Sequence, residues 1–183
     1  MDFYKCRKGC CTIKIRPYNK LHNKYKQYTN YKKTGVFLYD PKEDRVLIVQ
    51  SRGHLFSPPK GSLEIGESEI KGAIREVLEE TGIDISNKWF SKATRIKDRA
   101  IFFYLELDTC IIDPQNTIDD NDANGLTWIK IDCLEECIKN GNIVLNHYAK
   151  IVFYRFLKKS FPKSGFNKVT YNNKGRLIQV PLY

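Results

Sequence analysis

The chain has 183 residues, enough for one domain of ordinary size with small additions, and its composition (42% hydrophobic, 13% aromatic, 28% charged) excludes a disordered, collagen-like or membrane-embedded chain. Its net charge of +10 is unevenly spread: residues 1–35 hold ten bases and one acid, residues 139–183 hold nine bases and no acid, and the middle holds twelve bases and twenty acids. Two basic arms around an acidic centre suit a protein that grips a polyanion outside and keeps cations inside; the plainer reading is lysines that only solvate the surface.

From the N-terminus, residues 1–11 alternate charge with cysteine and lack the apolar run of a secretory signal, so an intracellular protein is expected. The longest apolar runs, such as Ala100 to Leu105, are too short to span a bilayer, and no membrane partner is expected. Stretches rich in β-branched and aromatic residues predict strands at Cys11–Ile15, Gly35–Tyr39 and Val46–Ser51, with Asp40 and Pro41 turning the chain between the last two. A helix is predicted from Ser68 to Glu80, its apolar stripe made by Ile70, Ala73, Ile74, Val77 and Leu78, with Gly82 placed as a C-terminal cap. Strands follow at Ala93–Ile96, Ile101–Leu107 and Leu126–Ile131, then helices at Cys133–Lys139 and His147–Lys159. This order predicts a mixed sheet with helices packed on it, either an α+β fold or an α/β fold of the α/β/α sandwich kind. The expected division is a basic N-terminal arm over 1–31, a domain over 32–159 and a basic tail over 160–183.

Six cysteines, Cys6, Cys10, Cys11, Cys110, Cys133 and Cys137, read as reduced thiols, because a chain this long without an export signal needs no disulfide framework. The two C-x3-C spacings would allow a split zinc site, yet Cys133 and Cys137 fall in a predicted helix, where such spacing often marks core.

The segment that carries chemistry runs from Gly61 to Ile83, GSLEIGESEIKGAIREVLEETGI. On a helix, Glu76, Glu79 and Glu80 stand at i, i+3 and i+4, so their carboxylates share a face opposite or beside the apolar stripe. Three like charges there repel unless cations neutralise them, and oxygen-rich clusters suit Mg²⁺ or Mn²⁺, which accept phosphate oxygens as further ligands. Glu67 in the loop can close the cluster. A solvated acidic face pairing with Arg75 and Lys71 is the plainer alternative.

Gly61, five residues, Glu67, seven residues, then Arg75-Glu76-Val77-Leu78-Glu79-Glu80-Thr81-Gly82-Ile83 resembles the complete signature of the Nudix hydrolases. The resemblance implies an α/β/α sandwich and hydrolysis of a nucleoside diphosphate linked to another group. It further implies that Glu76, Glu79 and Glu80 bind the divalent metals, Glu67 assists, Arg75 orients the glutamates, and Gly61 supplies a carbonyl ligand.

The flanks bear on the substrate. Phe56-Ser57-Pro58-Pro59-Lys60-Gly61 contains a proline-lysine-glycine similar to that of mRNA-decapping enzymes and diadenosine tetraphosphate hydrolases, whereas diphosphoinositol phosphatases typically show proline-glycine-glycine. Lys60 can place an ammonium beside a phosphate chain. The doubled proline resembles the diadenosine group; Ala73 to Val77 and Glu80 to Ile85 resemble cap-cleaving enzymes. Asp122 stands six positions before Trp128, where decapping enzymes carry a glutamate that acts as base or extra ligand; Asp119 and Asp120 are its rivals, and a plain acidic turn is the alternative.

The basic arms favour capped RNA, with its nucleotide cap, as partner, because lysines can grip an RNA backbone that free dinucleotides lack. Lys158, Lys159, Lys163, Lys168 and Lys174 alternate with Phe161, Phe166 and Tyr171, which would stack on bases or anchor the tail. Phe56, Tyr104 and Trp128 read as buried sandwich aromatics. The bias toward Lys, Asn, Ile and Tyr suits an AT-rich genome and a compact viral or protist enzyme. The leading expectation is therefore metal-dependent mRNA decapping. Hydrolysis of dinucleoside or diphosphoinositol polyphosphates and a non-catalytic RNA-binding module are the alternatives, and the oligomeric state stays open.

Overall fold

The computed structural model describes residues 2–15, 32–50, 55–112, 123, 125–161, 169–171 and 177–179. The chain opens with a hairpin of β1 (Asp2–Lys5) and β2 (Thr12–Ile15). An eight-stranded sheet follows, built from β3 (Lys33–Asp40), β4 (Arg45–Gln50), β5 (Leu55–Ser57), β6 (Lys60–Ser62), β7 (Lys92–Ile96), β8 (Ala100–Glu106), β9 (Gly125–Lys130) and β10 (Val144–Leu145). Its helices are α1 (Glu69–Thr81), α2 (Ile131–Lys139) and α3 (His147–Leu157), and a short hairpin of β11 (Val169–Tyr171) and β12 (Leu177–Gln179) lies in the tail.

The sheet is mixed, as the order of elements predicts. β3 runs parallel to β8, from Lys33 opposite Ala100 to Tyr39 opposite Glu106, and antiparallel to β4 and β6. β4 pairs antiparallel with β5 and β9, while β10 joins β5 in parallel.

Side chains alternate across the strands, so one sheet feeds two cores. Val36 and Leu38 of β3, with Leu47, Ile101, Phe103 and Trp128, pack against Ala73 and Val77 of α1. Phe37, between them, points the other way and joins Val46, Ile48, Phe102 and Ile129 against Leu134 of α2 and Phe153 of α3, meeting the Phe153 ring edge-on at 4.9 Å. Helices therefore cover both faces, and the architecture is the α/β/α sandwich. The hairpin β1–β2 belongs to the second core, where Cys6, Cys11 and Ile13 are buried, and the Thr127 hydroxyl of β9 donates to the Thr12 carbonyl at 2.8 Å.

Helix α1 starts and stops on local signals. Ser68 stands extended before it and its hydroxyl accepts from the Lys71 N–H at 3.3 Å. Gly82 ends it in the left-handed region at φ 74°, where a side chain is disfavoured, and donates to the Leu78 carbonyl at 2.8 Å. The rotation of the helix departs from the predicted apolar stripe. Its buried side is Gly72, Ala73, Glu76, Val77, Glu80 and Thr81, while Ile70 is 49% exposed. Two glutamates thus face inward beside Ala73 and Val77, where the backbone N–H of Lys60 in β6 donates to Glu80 and Arg75 donates to Glu76. The predicted second helix begins two residues earlier, at Ile131, and the third ends at Leu157, short of Lys159. Among the described residues, no helix is long and apolar enough to cross a membrane.

Candidate active site

The site forms where β6 meets α1. β6 lies antiparallel to β3, with Gly61 opposite Thr34, and the loop after it carries the chain back into the helix. The Thr34 hydroxyl donates to the Glu69 carbonyl at 2.8 Å, tying the start of α1 to the sheet. Gly61 runs directly under Glu76: a Cβ built there would lie 1.9 Å from Oε1 and 2.0 Å from Cδ of that carboxyl group. Only a residue without a side chain lets the carboxylate rest on the strand. One helical turn later, Oε2 of Glu80 accepts the Lys60 backbone N–H at 2.9 Å. Both glutamates are buried, at 9% and 5% exposure.

Arg75 binds the remaining acids together. Its Nε and Nη2 donate to the two carboxylate oxygens of Glu67 at 2.9 and 3.0 Å, a bidentate fork. Nη1 donates to one oxygen each of Glu76 and Glu79, both at 3.0 Å, and Nη2 also reaches the Ser62 carbonyl at 3.0 Å. Glu64 stands at the rim, 3.9 Å from Nε. The hydrogen bonds to Glu67 lead in keeping the guanidinium protonated far beyond its ordinary range, and the same bonds hold the Glu67 carboxyl below the usual carboxylate range.

Glu76 behaves oppositely. Burial pushes its carboxyl up to about 7, even though Arg75 pulls the other way. Lys33, whose ammonium donates to the Ser62 hydroxyl at 2.6 Å, adds a smaller downward pull. A buried carboxyl that resists ionisation beside two further glutamates and a backbone strand is a set of hard oxygen donors short of positive charge. Such a set fits a divalent cation of the Mg²⁺ or Mn²⁺ kind.

Lys60, Gly61, Glu67, Arg75, Glu76, Glu79 and Glu80 are therefore brought together within one strand, loop and helix. Asp122 and its rivals Asp119 and Asp120 lie outside the described residues, as do Lys163, Phe166, Lys168 and Lys174. Phe161 packs edge-on against Phe153 with ring centroids 5.0 Å apart, and so anchors the start of the tail to the domain. Phe56, Tyr104 and Trp128 are buried at 2%, 4% and 5% exposure and serve as core aromatics. Lys33, Ser62 and Glu64 were not among the residues the sequence pointed to. Only the pairing of β6 with β3 brings Lys33 here, and no local pattern announces it. A groove of about 580 Å³ lined by Ile70, Ile74, Trp89, Phe90 and Phe103 opens on a different face of α1 and includes none of these residues.

The chain is similar to mRNA-decapping enzyme subunit 2 of Arabidopsis thaliana, at 28% identity over an alignment 158 residues long that covers 79% of this chain and 42% of that protein. It is also similar to the m7GpppN-mRNA hydrolase dcap-2 of Caenorhabditis elegans, at 32% identity over 121 residues, 61% of this chain and 15% of that protein. The chain thus spans less than half the length of either relative. Among solved structures, it shares its fold with a bifunctional NMN adenylyltransferase/ADP ribose pyrophosphatase from Francisella tularensis, with a TM-score of 0.53 and 21% identity over 72% of this chain and 41% of that one. The E. coli dihydroneopterin triphosphate pyrophosphohydrolase matches with a TM-score of 0.52 and 18% identity over 70% of this chain and 97% of that one. The NUDIX domain family model matches residues 30–147, a span that contains the whole glutamate centre and the sheet that carries it, and the chain accordingly belongs to the Nudix hydrolases, enzymes that generally use divalent metals such as Mg²⁺ or Mn²⁺.

Proposed function

We propose that this hydrolase removes the 5' cap from mRNA, releasing 7-methyl-GDP and RNA with a 5' monophosphate. The observation that carries this reading is the reach of the similarity to the Arabidopsis decapping subunit: 158 residues, far beyond the glutamate motif. The nine bases without an acid over residues 139–183 support it, since an RNA backbone offers them a partner that a free nucleotide does not.

Glu76, Glu79, Glu80 and the Gly61 carbonyl would hold the divalent ions, which when bound neutralise pyrophosphate oxygens and make a coordinated water more acidic. The rest falls to the chain itself. Arg75 fixes Glu67, Glu76 and Glu79 in one network before substrate arrives, so little reorganisation is needed during the reaction. Lys60, its backbone tied to Glu80, would turn its ammonium toward the phosphate chain. The oxygen of the attacking water bonds to phosphorus as the P–O bond between the RNA-proximal phosphate and the 7-methyl-GDP portion breaks. The proton that water loses goes to a carboxylate, for which Asp122 is our candidate and Asp119 and Asp120 are the alternatives.

Pro58-Pro59-Lys60-Gly61 favours a second reading, hydrolysis of a dinucleoside polyphosphate, and the two separate by salt. Initial rates on capped RNA, free cap dinucleotide, diadenosine tetraphosphate and a diphosphoinositol polyphosphate are to be compared across ionic strength. Decapping predicts a preference for capped RNA that falls steeply as salt rises. Equal rates on RNA and free cap, or a preference for any of the small substrates, would overturn it, and RNA binding without turnover would leave only an RNA-binding domain.

A further inference from the structure

Four of the six cysteines meet away from the glutamate centre. The turn of the hairpin β1–β2 runs through Cys6, Cys10 and Cys11, closed by the Gly9 N–H donating to the Cys6 carbonyl at 2.8 Å and the Cys6 N–H donating to the Cys11 carbonyl at 3.0 Å. This tight turn gathers three thiols, and Cys133 meets them from the first turn of α2. The Cys10 sulfur lies 3.6 Å from that of Cys6, 3.7 Å from Cys11 and 3.4 Å from Cys133, and all four sulfurs lie within 4.8 Å of one another.

These separations exclude one chemistry and fit another. Disulfide sulfurs sit about 2.05 Å apart, and none of the six cysteines is bridged. A zinc ion with four thiolates at about 2.3 Å spaces the sulfurs of a regular tetrahedron about 3.8 Å apart. The three Cys10 pairs approach that edge length without any movement of the backbone. An iron–sulfur cluster, several atoms across, needs its cysteines farther apart than this. The surroundings agree with a metal site: the Lys130 N–H points at the Cys11 sulfur at 3.5 Å, the type of outer hydrogen bond that steadies a thiolate ligand. Cys6, Cys11 and Cys133 are 1–3% exposed, while Cys10 reaches solvent and gives an ion its way in.

We propose that Cys6, Cys10, Cys11 and Cys133 bind one zinc ion, which staples the N-terminal hairpin to α2. Four thiolates complete a tetrahedron and leave no position for water or substrate, so the site is structural. The zinc reading of the sequence had the wrong fourth ligand. Cys137 lies one turn beyond Cys133, buried in the core and outside the group, and Cys11 takes its place because the hairpin turn folds it back beside Cys6. The site serves the fold and is independent of the reaction proposed above.

The test uses the full chain, purified reduced, with metal content measured alongside titration of free thiols. Wild type and Glu80→Gln should each keep one equivalent of zinc through gel filtration, and a mercurial reagent should release it. Replacing zinc with cobalt should give the intense visible absorption of tetrahedral tetrathiolate coordination in both proteins, which separates these sulfurs from cobalt bound at the carboxylates. Cys10→Ser, at the exposed position, should lose both the equivalent of zinc and the cobalt absorption, whereas Cys110→Ser keeps them. Cys133→Ser should behave like Cys10→Ser; if it fails to fold, Cys10→Ser decides. Wild type without stoichiometric zinc, with iron instead, with two of these thiols joined in a disulfide, or with zinc retained in full by Cys10→Ser would overturn the proposal.

Discussion

Replacing Glu76 with glutamine should stabilise the metal-free protein while destroying the metal site. Burial raises this carboxyl from its ordinary 4.5 to about 7. At about 1.4 kcal/mol for each tenfold change in ionisation, holding Glu76 charged in the metal-free fold costs roughly 3 kcal/mol. The sign follows from linkage: a carboxyl raised in the folded state contributes its stability fully below 4.5, and that contribution disappears as pH rises through about 7. Glutamine resembles the protonated acid, and its amide oxygen can still accept from Arg75, which now donates to Oε1 at 3.0 Å. Denaturant unfolding in the presence of chelator should therefore show Glu76→Gln more stable than wild type by roughly 3 kcal/mol at pH 8, and nearly equal to it at pH 4. Adding Mg²⁺ at pH 8 should stabilise wild type and leave the variant unmoved. If the variant were no more stable than wild type at pH 8 without metal, burial would not be straining Glu76 and the reasoning would fail.

Gly61→Ala sets a methyl group where the Glu76 carboxyl now lies, 1.9 Å from its Oε1; displacement of that group by about 1 Å should lower turnover on the order of 100-fold, with circular dichroism close to wild type, and an unchanged rate would show that Glu76 does not work from this position. Arg75→Lys replaces a fork that reaches Glu67, Glu76, Glu79 and the Ser62 carbonyl with a single ammonium, and apparent Mg²⁺ affinity should weaken about 10- to 100-fold; isothermal titration that finds wild-type affinity would remove Arg75 from its positioning role. Asp40→Asn tests a feature unrelated to the reaction. Its Oδ2 accepts from both the Thr109 hydroxyl and N–H, and its Oδ1 from the Lys42 and Glu43 N–H groups. Led by the Thr109 hydroxyl, these bonds hold the carboxyl down at about 2. Asn should cost about 1–3 kcal/mol in unfolding free energy at pH 7, with catalysis intact. The stability Asp40 provides is present above 3.8 and is lost as pH falls toward 2, so the gap should close in acid; a constant gap across that range would contradict the assignment.

What could be read from sequence was local. The signature residues Arg75, Glu76, Glu79 and Glu80 are neighbours on one helix, and the cap residues Ser68 and Gly82 bracket it, so spacing alone locates them. The alternation of Val36, Phe37 and Leu38 likewise announces a strand buried on both faces. Long-range pairing was out of reach. β6 is three residues long and carries no strand pattern of its own, yet its pairing with β3 supplies the Lys60 N–H for Glu80 and brings Lys33 to Ser62. That same strand explains why α1 can bury Glu76 and Glu80: the Lys60 N–H donates to Glu80, Gly61 leaves room for the Glu76 carboxyl, and Arg75 donates to it. The approach of Cys133 to the hairpin turn depends on a contact more than a hundred residues apart in sequence, which no spacing rule encodes.

Cap-labelled RNA incubated with the protein and Mg²⁺ or Mn²⁺, with products resolved by thin-layer chromatography beside diadenosine tetraphosphate and a Glu80→Gln control, tests the central claim most directly. Decapping by the glutamate centre predicts metal-dependent release of 7-methyl-GDP by wild type and almost none by Glu80→Gln, whose fold should be intact. Full activity in Glu80→Gln would contradict the site, and cleavage of the dinucleotide alone would contradict the substrate.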